Sequence, residues 1–235
     1  MITIQNLSFS YSDKVVLSDI SFSMKKGEHV SILGKSGCGK TTLVNILAGY
    51  LPIEKEVITI HGKSISKPGK NRIVVSQEND LFAWLTVWQN MSLVSSNQEK
   101  IHYYLSLVDL LLVKDFYPAR LSGGMKKRLS LARALIVEPS FLILDEPFAS
   151  LDHKTRDSVQ EELSKIQQKT HKSILHITHN IEEALYLSDR IILLGGTPTS
   201  IIKEFAIDFP HPRMLSIKTL ENFKKYKQEI ADSYL

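Results

Sequence analysis

The sequence predicts an α/β fold organised around a phosphate-binding loop, with an antiparallel β segment before the loop and a helical insert after it. Three observations predict it. Residues 29–33 are a short apolar run leading into Gly34-Lys35-Ser36-Gly37-Cys38-Gly39-Lys40-Thr41, a match to GxxxxGK[ST], and a helical pattern begins at once behind it. Between 81 and 135 apolar residues recur at three- and four-residue spacings. From 141 to 194 short apolar runs alternate with helical patterns, the order that builds a parallel sheet with crossover helices.

The elements follow in order. Ile2, Ile4, Leu7, Phe9 and Tyr11, then Ile20, Phe22 and Met24, alternate with polar residues, and Lys26-Gly27 supplies a turn, so antiparallel strands precede the loop. The strand at 29–33 and a helix over 40–47, ended by Gly49, flank the loop itself. In the insert, Ile101, Tyr104, Leu105, Val108, Leu111 and Leu112 read as one helical stripe, and Ser122 reads as the N-cap of a helix over 126–135. Strands at 141–144, 173–177 and 190–194 then alternate with helices at 155–168 and 181–187. Asp208-Phe209-Pro210-His211-Pro212-Arg213 breaks the pattern, and the last twenty residues read as a charged helix. The expected organisation is a single domain over 1–235: a core from about 1–80 and 136–205, a helical subdomain at about 81–135 and a C-terminal extension at about 206–235.

Composition narrows the function classes. The net charge of +4 comes from lysines, including Lys25-Lys26, Lys126-Lys127 and Lys224-Lys225, scattered among acids, which fits a solvated surface better than a nucleic-acid interface. No run approaches the roughly 20 apolar residues of a membrane span, and the first residues enter a strand pattern rather than a signal peptide, so a soluble, cytoplasmic chain is expected. Cys38 is the one cysteine, which excludes an intrachain disulfide and fits a reducing compartment. Its place at a helix N-terminus predicts a lowered thiol pKa and raised reactivity.

The loop's chemistry follows from its residue types. Glycines let backbone N–H groups turn inward around an anion at the positive end of a helix dipole, so Gly34, Lys35, Ser36, Gly37, Cys38, Gly39, Lys40, Thr41 and Thr42 form the expected nucleotide cradle. Lys40 supplies a charge for the β and γ phosphates, and the Thr41 hydroxyl a ligand for Mg²⁺. Asp145-Glu146 closes an apolar strand at the end where ligands of open α/β sheets collect; Asp145 fits a second metal ligand and Glu146 a base for water. Leu121-Ser122-Gly123-Gly124 opens a helix and offers a second anion cradle, more than one nucleotide needs.

Taken together, these residues resemble the nucleotide-binding subunits of ABC transporters across nearly the whole chain. That family carries, in this order, an aromatic residue ahead of the phosphate loop, the loop, a glutamine, an LSGG segment, an Asp-Glu strand end and a histidine; Tyr11, Gln77, Leu121 to Gly124, Asp145-Glu146 and His179 match. The resemblance implies a P-loop core of ABC type that binds ATP and Mg²⁺. It implies stacking of Tyr11 on adenine, contact of Gln77 with Mg²⁺ and the attacking water, and contact of His179 with the γ-phosphate. The implied catalytic set is Glu146, His179, Gln77 and Lys40, the metal set Thr41, Gln77 and Asp145. Ser122, Gly123 and Gly124 would serve the nucleotide of a second copy in a homodimer, and Asp152 would communicate between the two sites.

The segment Gln77-Glu78-Asn79-Asp80-Leu81-Phe82-Ala83-Trp84-Leu85-Thr86-Val87-Trp88-Gln89-Asn90, Met125, the segment from Glu146 to Asp152, and Phe209-Pro210-His211-Pro212-Arg213 resemble importers for nitrate, sulfonate, taurine and thiamine-precursor pyrimidines. Ala83 and Asn180 depart from that group, which commonly has proline and aspartate there. The implied function is an importer ATPase on the cytoplasmic membrane face, working with permease subunits and, through them, a solute-binding protein. Phe82, Trp84 and Trp88 are a candidate docking surface or, equally, core packing. A soluble ABC-type ATPase acting on nucleic acid or ribosomes is the alternative.

Overall fold

In the computed structural model, which describes residues 1–54, 57–78 and 80–234, two sheets enclose the helix that follows the phosphate loop. Asn79, part of the 77–90 segment, lies outside the described residues. The chain opens with β1 (Ile2–Tyr11) and β2 (Lys14–Met24), paired antiparallel, then β3 (His29–Gly34), the loop and α1 (Lys40–Ala48). Gly49 ends α1 in the left-handed conformation, its N–H bonding back to Asn45 and Ile46. β4 (Ile58–Ile60) and β5 (Lys63–Ser64) complete a four-stranded sheet in the order β2-β1-β4-β5.

β6 (Arg72–Val75) then leads into α2 (Val87–Ser92), α3 (Gln98–Leu107) and α4 (Gly123–Leu135). β7 (Phe141–Asp145), α5 (His153–Thr170), β8 (Ser173–Thr178), α6 (Ile181–Leu187), β9 (Arg190–Gly195) and β10 (Ser200–Ala206) follow, and α7 (Glu221–Asp232) is the last helix. The second sheet runs β10-β9-β3-β8-β7-β6, parallel except for the antiparallel edge strand β10. β3 lies at its centre, and all six of its residues are buried.

Buried side chains of β1 and β2, among them Ile4, Leu7, Ile20 and Phe22, pack against Leu43, Ile46 and Leu47 of α1 and the facing side of the parallel sheet, a register shift between Ile4 and Leu7 keeping both inward. A second core joins α2 to α5 with β6 and β7, and a third holds α6 and α7 against β9. The sheets are stitched together where Val16 O accepts from Thr199 N at 2.9 Å and Ser18 N donates to Thr199 O at 2.8 Å.

One expectation needs correction. The stripe read through Leu112 ends earlier: α3 stops at Leu107, Leu111–Val113 is a 3-10 turn, and Leu112 is 96% exposed. The break falls at Asp109, whose φ of 55° is left-handed and cannot continue a helix. Strands β4, β5, β6 and β10 leave no clear periodic signal in the sequence. The first three span two to four residues, too few for a period to register, and β10 is an edge strand with several exposed positions.

Candidate active site

The C-terminal ends of β3, β7 and β8 converge, and each delivers part of the site. β3 ends at Gly34 and releases the loop. Gly39 immediately precedes α1 with φ 89°, and a Cβ on it would meet Val16 Cγ1 at 2.9 Å, so only glycine lets the loop lie against β2 and turn into the helix. Lys40 is only 6% exposed, and its Nζ donates to the carbonyls of Gly34 at 2.8 Å and Lys35 at 3.0 Å, curling the loop around its own ammonium.

A cavity of about 480 Å³ opens beside it, lined by Ser36, Gly37, Gly39, Lys40, Thr41, Thr42, Gln77, Asp145 and Glu146 together with Val16. Asp145 is the last residue of β7. Its carboxyl is pushed up by burial and by neighbouring Glu146, against the pull of Lys40 and Lys127. Glu146 has φ 44°, a conformation that costs a non-glycine residue on the order of 1 kcal/mol, and is pinned by its N–H to Ile177 O at 2.9 Å. Its Oε2 lies 3.2 Å from His179 Nδ1, just past β8. Behind this pair Arg156, Thr178, Asn180 and Glu183 line a smaller pocket; Thr178 Oγ1 donates to Glu183 Oε2 at 2.8 Å. Asn180, where the resembling group has aspartate, still caps α6 by accepting from Glu182 N at 2.9 Å and Glu183 N at 3.2 Å.

The hydroxyl of Thr41, the amide of Gln77 and the carboxylate of Asp145 are hard oxygen donors on one cavity, too few for a complete cage. That set fits Mg²⁺, which keeps waters and shares its remaining positions with phosphate.

Other predicted residues lie elsewhere. Lys35 and Cys38, with Ser36 and Gly37, line a neighbouring cavity of about 460 Å³ between the loop, the turn after β9 and Tyr234. Burial pushes the Cys38 thiol up, outweighing Lys40 and the backbone N–H groups, which corrects the expectation of a lowered pKa: desolvation of the thiolate wins over the helix terminus. Tyr11, at the tip of β1, is 47% exposed, stands edge-on to Phe9 with ring centres 5.0 Å apart, and does not line the cavity. Ser122, Gly123 and Gly124 also lie outside it, at the start of α4. Ser122 accepts from Met125 N at 3.3 Å as the N-cap, and a Cβ on Gly124 would meet Thr155 Cγ2 at 2.8 Å, so that glycine also lets α4 close on α5. Asp152 caps α5, accepting from Thr155 N at 3.1 Å.

The sequence reading missed four residues. Val16 touches both cavities but carries no signal beyond strand alternation. Arg156 and Glu183 stand behind the Glu146–His179 pair. Lys127 was read as solvated surface and is 1% exposed, its Nζ donating to Ser76 O at 2.6 Å; burial brings its pKa down to about 8. Its signal was present: Lys127 stands four residues before Leu131 and eight before Leu135, on the buried stripe of α4.

A glycine-rich loop between a central strand and a helix, facing two carboxylates at a neighbouring strand end, defines a P-loop nucleotide-binding protein. The ABC transporter family model matches residues 17–149, and the chain belongs to that family, among the ATP-binding subunits of its importers. It is 38% identical over 224 residues to the aliphatic sulfonates import ATP-binding protein SsuB of Bacillus cereus, covering 93% of this chain and 88% of that one. It is 36% identical over 251 residues to the taurine import ATP-binding protein TauB of Pseudomonas aeruginosa, covering 100% and 95%. Among solved structures it is similar to cbiO1 of Clostridium perfringens, part of the ABC transporter complex cbiONQ, with a TM-score of 0.81 and 25% identity over 97% of this chain and 98% of that one. The dimeric bacterial ABC transporter cassette MJ0796 aligns with a TM-score of 0.74 and 26% identity over 89% of this chain and 100% of that one.

Proposed function

We propose that the chain works as a homodimeric, Mg²⁺-dependent ATPase on the cytoplasmic face of the membrane. There it would energise uptake of a small solute of the nitrate, sulfonate, taurine or pyrimidine-precursor type through permease subunits fed by a solute-binding protein. The names of its relatives, which import sulfonates and taurine, support the solute class. The observation that carries the chemistry is the meeting of Glu146 with His179 at 3.2 Å, Glu146 also lining the cavity that holds Lys40, Thr41, Gln77 and Asp145.

Lys40 exchanges the loop carbonyls it holds for β and γ phosphate oxygens. Thr41, Gln77 and Asp145 would hold Mg²⁺, which would offset charge on the phosphate oxygens. Glu146 takes the proton of the attacking water, and His179 fixes its carboxylate and reaches the γ-phosphate. Tyr11 stacks on adenine from the tip of β1. Ser122, Gly123 and Gly124 complete the site of the partner copy, and the dimeric state of the MJ0796 cassette supports that arrangement. The division into a core, a helical subdomain over about 81–135 and an extension from about 206 belongs to the same proposal. Trp84, 71% exposed, is the one aromatic of its trio left available for docking, since Trp88 packs into the helical core and Phe82 stands under Arg133.

Glu146→Gln keeps the shape and removes the base. ATP binding and ATP-driven dimerisation should survive while hydrolysis falls roughly 10²- to 10⁴-fold. Turnover near that of the wild type rejects Glu146 as base.

A further inference from the structure

Lys127 is a buried charge to which the chemistry above gives no task. An ammonium at 1% exposure is costly unless paired, and an apolar residue would fill this place on the stripe with Leu131 and Leu135 at no such cost. Its hydrogen bonds go to no carboxylate among the described residues. They go to the backbone: Nζ donates to Ser76 O at 2.6 Å and to Gln77 O at a longer 3.5 Å.

Those carbonyls open the turn that presents Gln77 to the cavity. Within the turn, Ser76 Oγ lies 2.7 Å from Glu78 O and 2.6 Å from Asp80 Oδ2, its one proton serving either acceptor. At its far end Arg133, six residues along α4 from Lys127, donates to Asp80 O and lies over the Phe82 ring at 5.3 Å. α4 therefore grips both ends of the Gln77 turn. The helix that begins at Ser122 is the same helix that carries Lys127, little more than one turn along.

We propose that Lys127 is a positioning residue: its bond to the Ser76 carbonyl fixes the Gln77 backbone to α4, so that the glutamine faces Thr41 and Asp145 only when α4 is seated. This rests on the reading of Gln77 as a contact of the metal and the attacking water. A shift of α4 at its Ser122 end is then carried by one side chain to the glutamine of the other half-site in the same chain.

The test is a double-mutant cycle on the full chain, read as steady-state ATP hydrolysis and as amide hydrogen exchange. Lys127→Met, which keeps the stem and removes the donor, should lower kcat roughly 10- to 100-fold with KM for ATP within about twofold. In a Gln77→Ala background the same change should cost less than about twofold, because the glutamine it positions is gone. Exchange should rise at Gln77 and Glu78 and stay unchanged across 126–135 of α4. Lys127→Arg, which restores N–H donors, should recover most of the loss. Should Lys127→Met fail to fold, Lys127→Leu, which also lacks a donor, carries the cycle with the same expected pattern. Equal losses in both backgrounds, or faster exchange along α4 itself, overturn the positioning role while leaving the site reading intact. Wild-type turnover in Gln77→Ala overturns the reading of Gln77 and the proposal with it.

Discussion

His29 is a fully buried histidine whose protonation works against the fold. It sits on β3 with no exposed surface, its Nδ1 3.1 Å from Gln167 Oε1 and its ring centre 5.8 Å from that of His176. Burial brings it from 6.5 down to about 4, against the Gln167 hydrogen bond and the charge of Asp189, while Arg213 and His211 push the same way as burial. His176 moves in the same direction for the same first cause. The folded pKa lies below the unfolded one, so the unfolded chain takes up the proton first. The stability that neutral His29 contributes is whole above about pH 6.5 and is lost as pH falls toward about 4, on the order of 3 kcal/mol across that window. Urea unfolding at several pH values between 7 and 4.5 measures it. His29→Gln should flatten the decline relative to wild type, and parallel curves for the two proteins would show that another group causes it.

At the level of elements, the join between α6 and the C-terminal segment depends on Arg213. Its guanidinium is buried and donates to carbonyls alone: Leu185 at 2.9 Å, Tyr186 at 3.3 Å and Ser188 at 2.7 Å at the end of α6, then Ile207 at 3.3 Å and Phe209 at 3.1 Å beyond β10. Tyr186 Oη returns a bond to Arg213 O at 2.9 Å, and His211 Nε2 meets Asp189 Oδ1 at 2.9 Å. The helix's last carbonyls have no partner within α6, so the planar fork does the work of a cap. Arg213→Met would leave several buried acceptors unpaired, at a cost of about 3 kcal/mol, or roughly 6–12 °C in Tm for a chain of this size. Arg213→Lys should recover only part, since one ammonium cannot serve both groups of carbonyls. A melting point within about 2 °C of wild type for Arg213→Met would remove the cap from the account.

This is also the scale at which sequence and structure part. The loop and α1 were legible because their signals are local: Lys40 and Thr41 stand next to the helix start they define, and Gly49 stands at its end. The role of Arg213 was not legible, because its acceptors lie up to 28 residues away and only the fold brings them together. Lys127 lies between these cases. Helical spacing placed it on the buried stripe of α4, but its lysine neighbour Lys126 made the pair look solvated, and only the position of Ser76 explains why a charge is there.

At the scale of the whole molecule, the proposed homodimer makes a prediction about which chain completes each site. Lys40, Thr41, Asp145 and Glu146 line a cavity that the same chain's Ser122, Gly123 and Gly124 do not reach. Ser122, exposed at the start of α4 beyond its N-cap bond to Met125 N, is on the proposed reading a cradle for another copy's nucleotide. Mixed dimers separate this from a self-contained site. Lys40→Ala disables the phosphate loop and Ser122→Tyr disables the cradle, so each variant alone should be inactive. Combined in one dimer, the intact loop of the Ser122 variant meets the intact cradle of the Lys40 variant, and one complete site returns. Equal mixing makes half of the dimers mixed, each with one of two sites, so about a quarter of wild-type turnover should reappear. Turnover that stays at the level of the separate variants at every mixing ratio, with mixed dimers confirmed by mass spectrometry, would place both halves of the site within one chain.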